Sequence, residues 1–173
     1  MLTGLRSRIL VSAAIGLVVA CSQGHGQGAM TSPSSRPSDL AGATQVAGGC
    51  GGSPIYQGGL PAWVQEAGAD NYPGQADYVV AAPELAAGFF FADRLRSGAP
   101  QDLFNTIVWV TRTENRGLMT ITSQHSNVGL ALNAEPSGPG YIYRSVIGVP
   151  SSGCWHFTLS WDGNNADVDL LFR

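Results

Sequence analysis

Few side chains in this chain are suited to acid–base or nucleophilic work. Its 173 residues include three His, three Cys and no Lys. His25 stands between two glycines in a polar stretch and reads as a solvated side chain, which leaves His125 and His156. At neutral pH, general acid–base catalysis falls most naturally to His. His125 lies in the polar turn Gln124–Asn127, and His156 shares an outward strand face with Thr158 and Ser160. No Gly-x-Ser-x-Gly elbow presents a nucleophile, and no sequence neighbour orients either imidazole. Both are expected to be exposed polar residues, dispensable for any turnover. The 12 carboxylates ionise near ~4 unless buried or crowded. They are scattered over turns and polar strand faces, so spacing pairs none of them across a cleft. The chain is expected not to be an enzyme.

Two segments invite a metal reading, and both fail on spacing. Cys154-Trp155-His156 lies near the C-terminus, as a blue-copper ligand loop would, but such a site needs a Cys, two His and usually a weak Met. Here Cys-x-His is too short and the strand that follows holds no Met. The run Asp162-Gly163-Asn164-Asn165-Ala166-Asp167-Val168-Asp169 superficially resembles a calcium loop, yet the Gly at position six and the Glu at position twelve are missing. It reads as a hairpin turn. No metal and no cofactor is expected. The remaining lead is aromatic. Tyr56, Trp63 and Tyr72, with Tyr78, fall in a Gly/Pro-rich stretch over 53–82. Such residues either line a partner surface or plug the open end of a β-sandwich.

The elements that must carry these residues are strands. Tyr78–Val80, Gly88–Ala92, Phe104–Arg112, Gly117–Ser123, Val128–Asn133, Tyr141–Val149, Cys154–Trp161 and Ala166–Phe172 are rich in β-branched and aromatic residues. Turn residues separate them at short intervals, the signature of an all-β sandwich or barrel. The last two are the clearest. Trp155, Phe157, Leu159 and Trp161 alternate with His156, Thr158 and Ser160, so a period of two puts the first set inside. The return strand puts Ala166, Val168, Leu170 and Phe172 inside and Asp167 and Asp169 outside. Leu60–Ala67 and Asp93–Leu103 hold a helical turn or two at most.

Ahead of the strands lies an export signal. Arg6 and Arg8 precede the 12-residue apolar run Ile9–Ala20. That is too short to span a bilayer but right for a signal-peptide core. It ends Val18-Val19-Ala20-Cys21, which resembles the lipobox of bacterial lipoproteins. The resemblance implies cleavage after residue 20, with diacylglycerol and further acylation on Cys21. The processed chain would keep 153 residues, with 7 Arg against 12 carboxylates. With no basic run, neither nucleic acid nor anionic lipid is an electrostatic partner. Residues 22–49 are mostly Gly, Ser, Ala, Gln and Pro, with few large aliphatics and no aromatic. They read as a tether between the lipid and a domain over 50–173. With Cys21 assigned to lipid, Cys50 and Cys154 are an even pair in an oxidising compartment and are expected to form a disulfide.

The domain carries one further resemblance. Cys50-Gly-Gly-Ser-Pro54, the strand Ile107-Val108-Trp109-Val110 and the segment Pro150-Ser-Ser-Gly-Cys154-Trp155-His-Phe157 occur in that order. This is similar to a loose group of bacterial secreted proteins and lipoproteins that end in a Pro-x-x-Gly-Cys-Trp hairpin and look immunoglobulin-like. It implies an antiparallel sandwich of about seven or eight strands and no catalytic residue. The expectation for function is a lipid-anchored, extracytoplasmic module of the bacterial cell envelope that binds an envelope protein or ligand without catalysis. The alternative is a carrier of a small ligand or metal in the same compartment.

Overall fold

The computed structural model describes residues 40–69, 76–98, 105–137 and 140–173. Cys21 and Tyr72 lie outside them, as does the expected tether up to residue 39. The described residues form eleven strands and one short helix. In chain order these are β1 (Thr44–Cys50), β2 (Ser53–Gln57), α1 (Ala62–Glu66), β3 (Asp77–Ala81), β4 (Ala86–Phe90) and β5 (Thr106–Thr111). Then come β6 (Met119–His125), β7 (Val128–Ala134), β8 (Pro136–Ser137), β9 (Ile142–Val146), β10 (Gly153–Trp161) and β11 (Asn164–Phe172). The fold is all-β, as the sequence indicates. The strands exceed the expected seven or eight because β1, β2 and β8 carry no apolar alternation of their own. Residues 40–49 also belong to the fold rather than to a tether: Leu40 is buried and β1 pairs with β2 and β11.

All the strand pairs are antiparallel, in the order β7-β6-β10-β11-β1-β2-β3-β4-β5-β9-β8. Strand β1 is the corner. Its first residues pair with β2 (Val46 opposite Ile55), its register shifts, and Gly49 then pairs with Leu170 of β11. The sheet thereby folds into two layers that share one core. Trp155, Phe157, Leu159 and Trp161 of β10 and Val168, Leu170 and Phe172 of β11 meet Val79, Phe90, Ile107, Trp109 and Tyr143 from the other layer. Burying each large apolar side chain stabilises the fold by roughly 1.5–3 kcal/mol.

The two layers differ on their outer faces. The β2–β3–β4–β5 layer is covered there by a second cluster, in which Leu40, Trp63, Val64 and Ala67 pack on Tyr56, Tyr78, Phe89 and Val110. This explains why β4, Ala86–Phe90, is buried at every position and reads as a continuous apolar run. Helix α1 lies within Leu60–Ala67, one of the two stretches expected to hold a helical turn or two at most. The β6–β10–β11 layer alternates buried and open positions, so one of its faces is left to solvent.

Candidate functional site

That open face displays a polar array whose register is set by one turn. Asp162 and Gly163 both have positive φ, 41° and 75°, the conformation of a two-residue hairpin loop that suits Asp-Gly. With Trp161 opposite Asn164, the register places His156 opposite Asp169, Thr158 opposite Asp167 and Ser160 opposite Asn165. Each pair is hydrogen bonded. Thr158 Oγ1 donates to Asp167 Oδ1 at 2.7 Å, and Ser160 Oγ donates to Asn165 Oδ1 at 2.7 Å. His156 Nδ1 lies 2.9 Å from Asp169 Oδ1. A carboxylate only accepts, so this contact is an Nδ1–H donation. Nε2 then lies 3.6 Å from Asp167 Oδ1. The imidazole is thus held between two aspartates. No sequence neighbour orients His156; its partners lie across the hairpin, 11 and 13 residues away in sequence.

On the other side of β10, Gln124 stands opposite His156 and Thr122 opposite Thr158. One strand further, β7 presents Gly129 opposite Gln124 and Ala131 opposite Thr122. Tall polar side chains on β10 and β6 thus adjoin the lowest ones on β7. The result is a groove of about 350 Å³ lined by Thr122, Gln124, Gly129, Ala131, His156 and Thr158.

Asp169 is fixed by the Cys50–Cys154 disulfide. The two Cα atoms are 5.8 Å apart and the half-cystines 104 residues apart in sequence. The bridge holds the turn between β1 and β2 over the open face. There Gly52 N–H donates to Asp169 Oδ2 at 3.0 Å, and Asp169 N–H donates to Ser53 Oγ at 2.8 Å. Gly51, at φ 56°, lies so close that a Cβ would overlap the Asp169 carboxylate, so any other residue would displace that carboxylate and also meet the strain of a positive φ. The backbone of Asp167 is held too, by a reciprocal pair of hydrogen bonds with Ala82 at 2.8 and 2.9 Å.

His125 is a residue of a different kind. It ends β6, its Nδ1 lies 2.9 Å from the Cys154 carbonyl oxygen, and its ring packs 5.2 Å from that of Trp155. A carbonyl only accepts, so Nδ1 carries the proton. Its role is to cover the disulfide strand, and it does not sit in a free polar turn as the sequence suggested.

No protein-family model matches the chain, and neither a curated protein nor a solved structure matches it.

Cys154 is in the disulfide and does not offer a copper thiolate. Among the described residues no group of three His, Cys, Asp or Glu side chains is placed to hold a metal ion. Of the aromatic residues offered as a partner surface, Tyr56 and Trp63 are only 4% and 8% exposed. They belong to the second core, where Tyr56 packs on Tyr78 and Tyr78 on Phe89, each at 5.7 Å. Both are core residues, so the surface reading does not describe them; Trp63 of α1 covers the outer face of the sheet and Tyr56 of β2 lies beneath that cover, rather than either plugging an open end. Tyr72 lies outside the described residues.

The sequence reading missed Asp167, Asp169 and the Gly51–Ser53 turn. The two aspartates had a usable signal, since a two-residue loop at Asp162-Gly163 fixes every cross-strand pair of the hairpin. The turn had none, because its partner is over a hundred residues away.

Proposed function

We propose that the chain is a lipid-anchored, extracytoplasmic module of a bacterial cell envelope. In this reading it binds a polar partner, non-catalytically, through the open face of the β6–β10–β11 layer. The observation that carries the reading is the asymmetry of the two layers. One has both faces covered by apolar side chains. The other leaves a groove edged by hydrogen-bonding groups with fixed partners. Pre-ordered donors and acceptors reduce the ordering cost of binding. Asp167 and Asp169 beside His156 favour a partner that offers N–H or cationic groups. Binding is favoured over catalysis because the His156 side chain is 53% exposed, and a site open to water does not strengthen charge stabilisation as an enclosed one does.

The Cys50–Cys154 disulfide supports an oxidising compartment, and the Val-Val-Ala-Cys21 sequence supports lipid attachment. Two or more acyl chains are needed for stable anchoring. In cells, labelled palmitate incorporation should be lost on Cys21→Ala. A photo-crosslinking amino acid at Thr122 or Gln124 should capture a defined partner, and one at Asp93, away from the groove lining, should not. Equal capture from both places, or none from the groove, refutes the proposed face.

A further inference from the structure

A second recess lies on the opposite layer, where α1 covers the sheet, and it does not depend on the function proposed above. Its volume is about 220 Å³ and it is lined by Trp63, Glu66, Ala67, Arg112 and Tyr141. The framework is firm. Trp63, Val64 and Ala67 are buried in the second core, which anchors α1 and leaves Glu66, three residues after Trp63, at the solvent side. Arg112 follows β5, and its backbone N–H donates to Leu85 O at 2.8 Å. Tyr141 precedes β9, and its carbonyl accepts from Thr111 N–H at 2.8 Å and from Thr111 Oγ1 at 3.3 Å.

Glu66 and Arg112 line one small recess yet make no ion pair with each other or with any described residue. A recess edged by one acidic and one basic side chain is complementary to a ligand that carries both signs.

We infer that this recess binds a zwitterionic small molecule of the free amino-acid class. Its carboxylate meets the Arg112 guanidinium, which takes a carboxylate through two parallel N–H donors. Its ammonium meets the Glu66 carboxylate, next to the electron-rich ring of Tyr141. Other classes fit less well. The volume lies below the ~300 Å³ at which pockets for drug-sized ligands begin. A neutral sugar wants an open aromatic face, and Trp63 is only 8% exposed. A simple anion is repelled by Glu66 and a simple cation by Arg112.

The test uses the full chain in detergent, ¹⁵N-labelled and with its disulfide intact. The protein has four Trp, so its indole N–H groups give four NMR signals, and Trp63→Phe assigns one of them. The other three, Trp109, Trp155 and Trp161, lie in the main core. Titration with L-alanine should shift the Trp63 signal saturably and leave those three in place. Propionate and ethylammonium, which each lack one of alanine's charges, should bind at least about tenfold more weakly. Arg112→Gln and Glu66→Gln should each weaken L-alanine binding by about the same factor. Both side chains are exposed, so the fold survives these changes, and unchanged core indole signals verify it. The inference is overturned if L-alanine gives no saturable shift, if propionate binds as well as L-alanine, or if Glu66→Gln leaves binding unchanged.

Discussion

Gly88 stands at the centre of β4, paired with Val79 on one side and Trp109 on the other. It is a strand glycine that packing requires. A Cβ added there would lie 2.6 Å from Trp109 Cζ3 and 2.8 Å from Cε3. The six-membered part of the indole therefore lies where a side chain would begin. Trp109 is fully buried, and its Nε1–H donates to Ser145 Oγ at 2.9 Å. Moving the ring aside would disturb that bond. Gly88→Ala is expected to cost about 1–3 kcal/mol as overpacking. It should cost a further ~1–3 kcal/mol if the buried indole donor loses its partner. Against this, alanine restricts the unfolded chain and recovers about 0.4–1 kcal/mol. The net expectation is a loss of about 2–4 kcal/mol. Urea unfolding with the disulfide intact measures it, as a lower midpoint with an unchanged slope. A double-mutant cycle isolates the cause. In a Trp109→Phe background the indole is gone, and Gly88→Ala should cost less than half as much. The reasoning is refuted if Gly88→Ala is as stable as the parent, or if its cost is the same in both backgrounds.

Replacing Cys50 and Cys154 together by Ala should destabilise the domain by up to about 4.7 kcal/mol, the chain-entropy figure for a loop of this size. Alkylation of the unreduced parent should leave both of these cysteines unmodified by mass spectrometry. Asp169→Ala should cost about 1–2 kcal/mol through the lost Gly52 N–H bond, and the Gly52 amide should exchange faster with deuterium. Tyr143 should ionise above the ordinary tyrosine value of 10.0, because burial disfavours its phenolate and Asp162 adds to this, with Asn115 partly offsetting them. Its contribution to stability should therefore be intact below pH 10.0. It should fall as pH rises from there towards the higher folded value, because only the unfolded chain ionises readily. An alkaline titration followed by tyrosinate absorbance, compared between the parent and Tyr143→Phe, should show the Tyr143 component rising late, together with loss of the fold.

The sequence by itself determined the closing hairpin. Its inner and outer residues follow from strict alternation over Trp155–Trp161, and a turn at Asp162-Gly163 implies the His156–Asp169 and Thr158–Asp167 pairs found in the structure. The strands β5, β6 and β7 were legible for the same reason: a local period reports which face is buried. Parity was enough to pair Cys50 with Cys154. Only the tertiary structure decided the rest. Strand β1 is Thr, Gln, Val, Ala, Gly and Cys, with no local β signal, and it is a strand because β2 and β11 offer it hydrogen-bonding edges. Strand β4 shows no alternation because α1 covers its outer face, and the same contact buries Tyr56 and Trp63. The recess shared by Glu66 and Arg112, and the clasp of Gly51–Ser53 on Asp169, bring together residues 46 and 117 positions apart. Periodicity carries information about neighbours along the strand. It carries none about which distant segment closes over a face, because that is chosen by the packing of the whole chain.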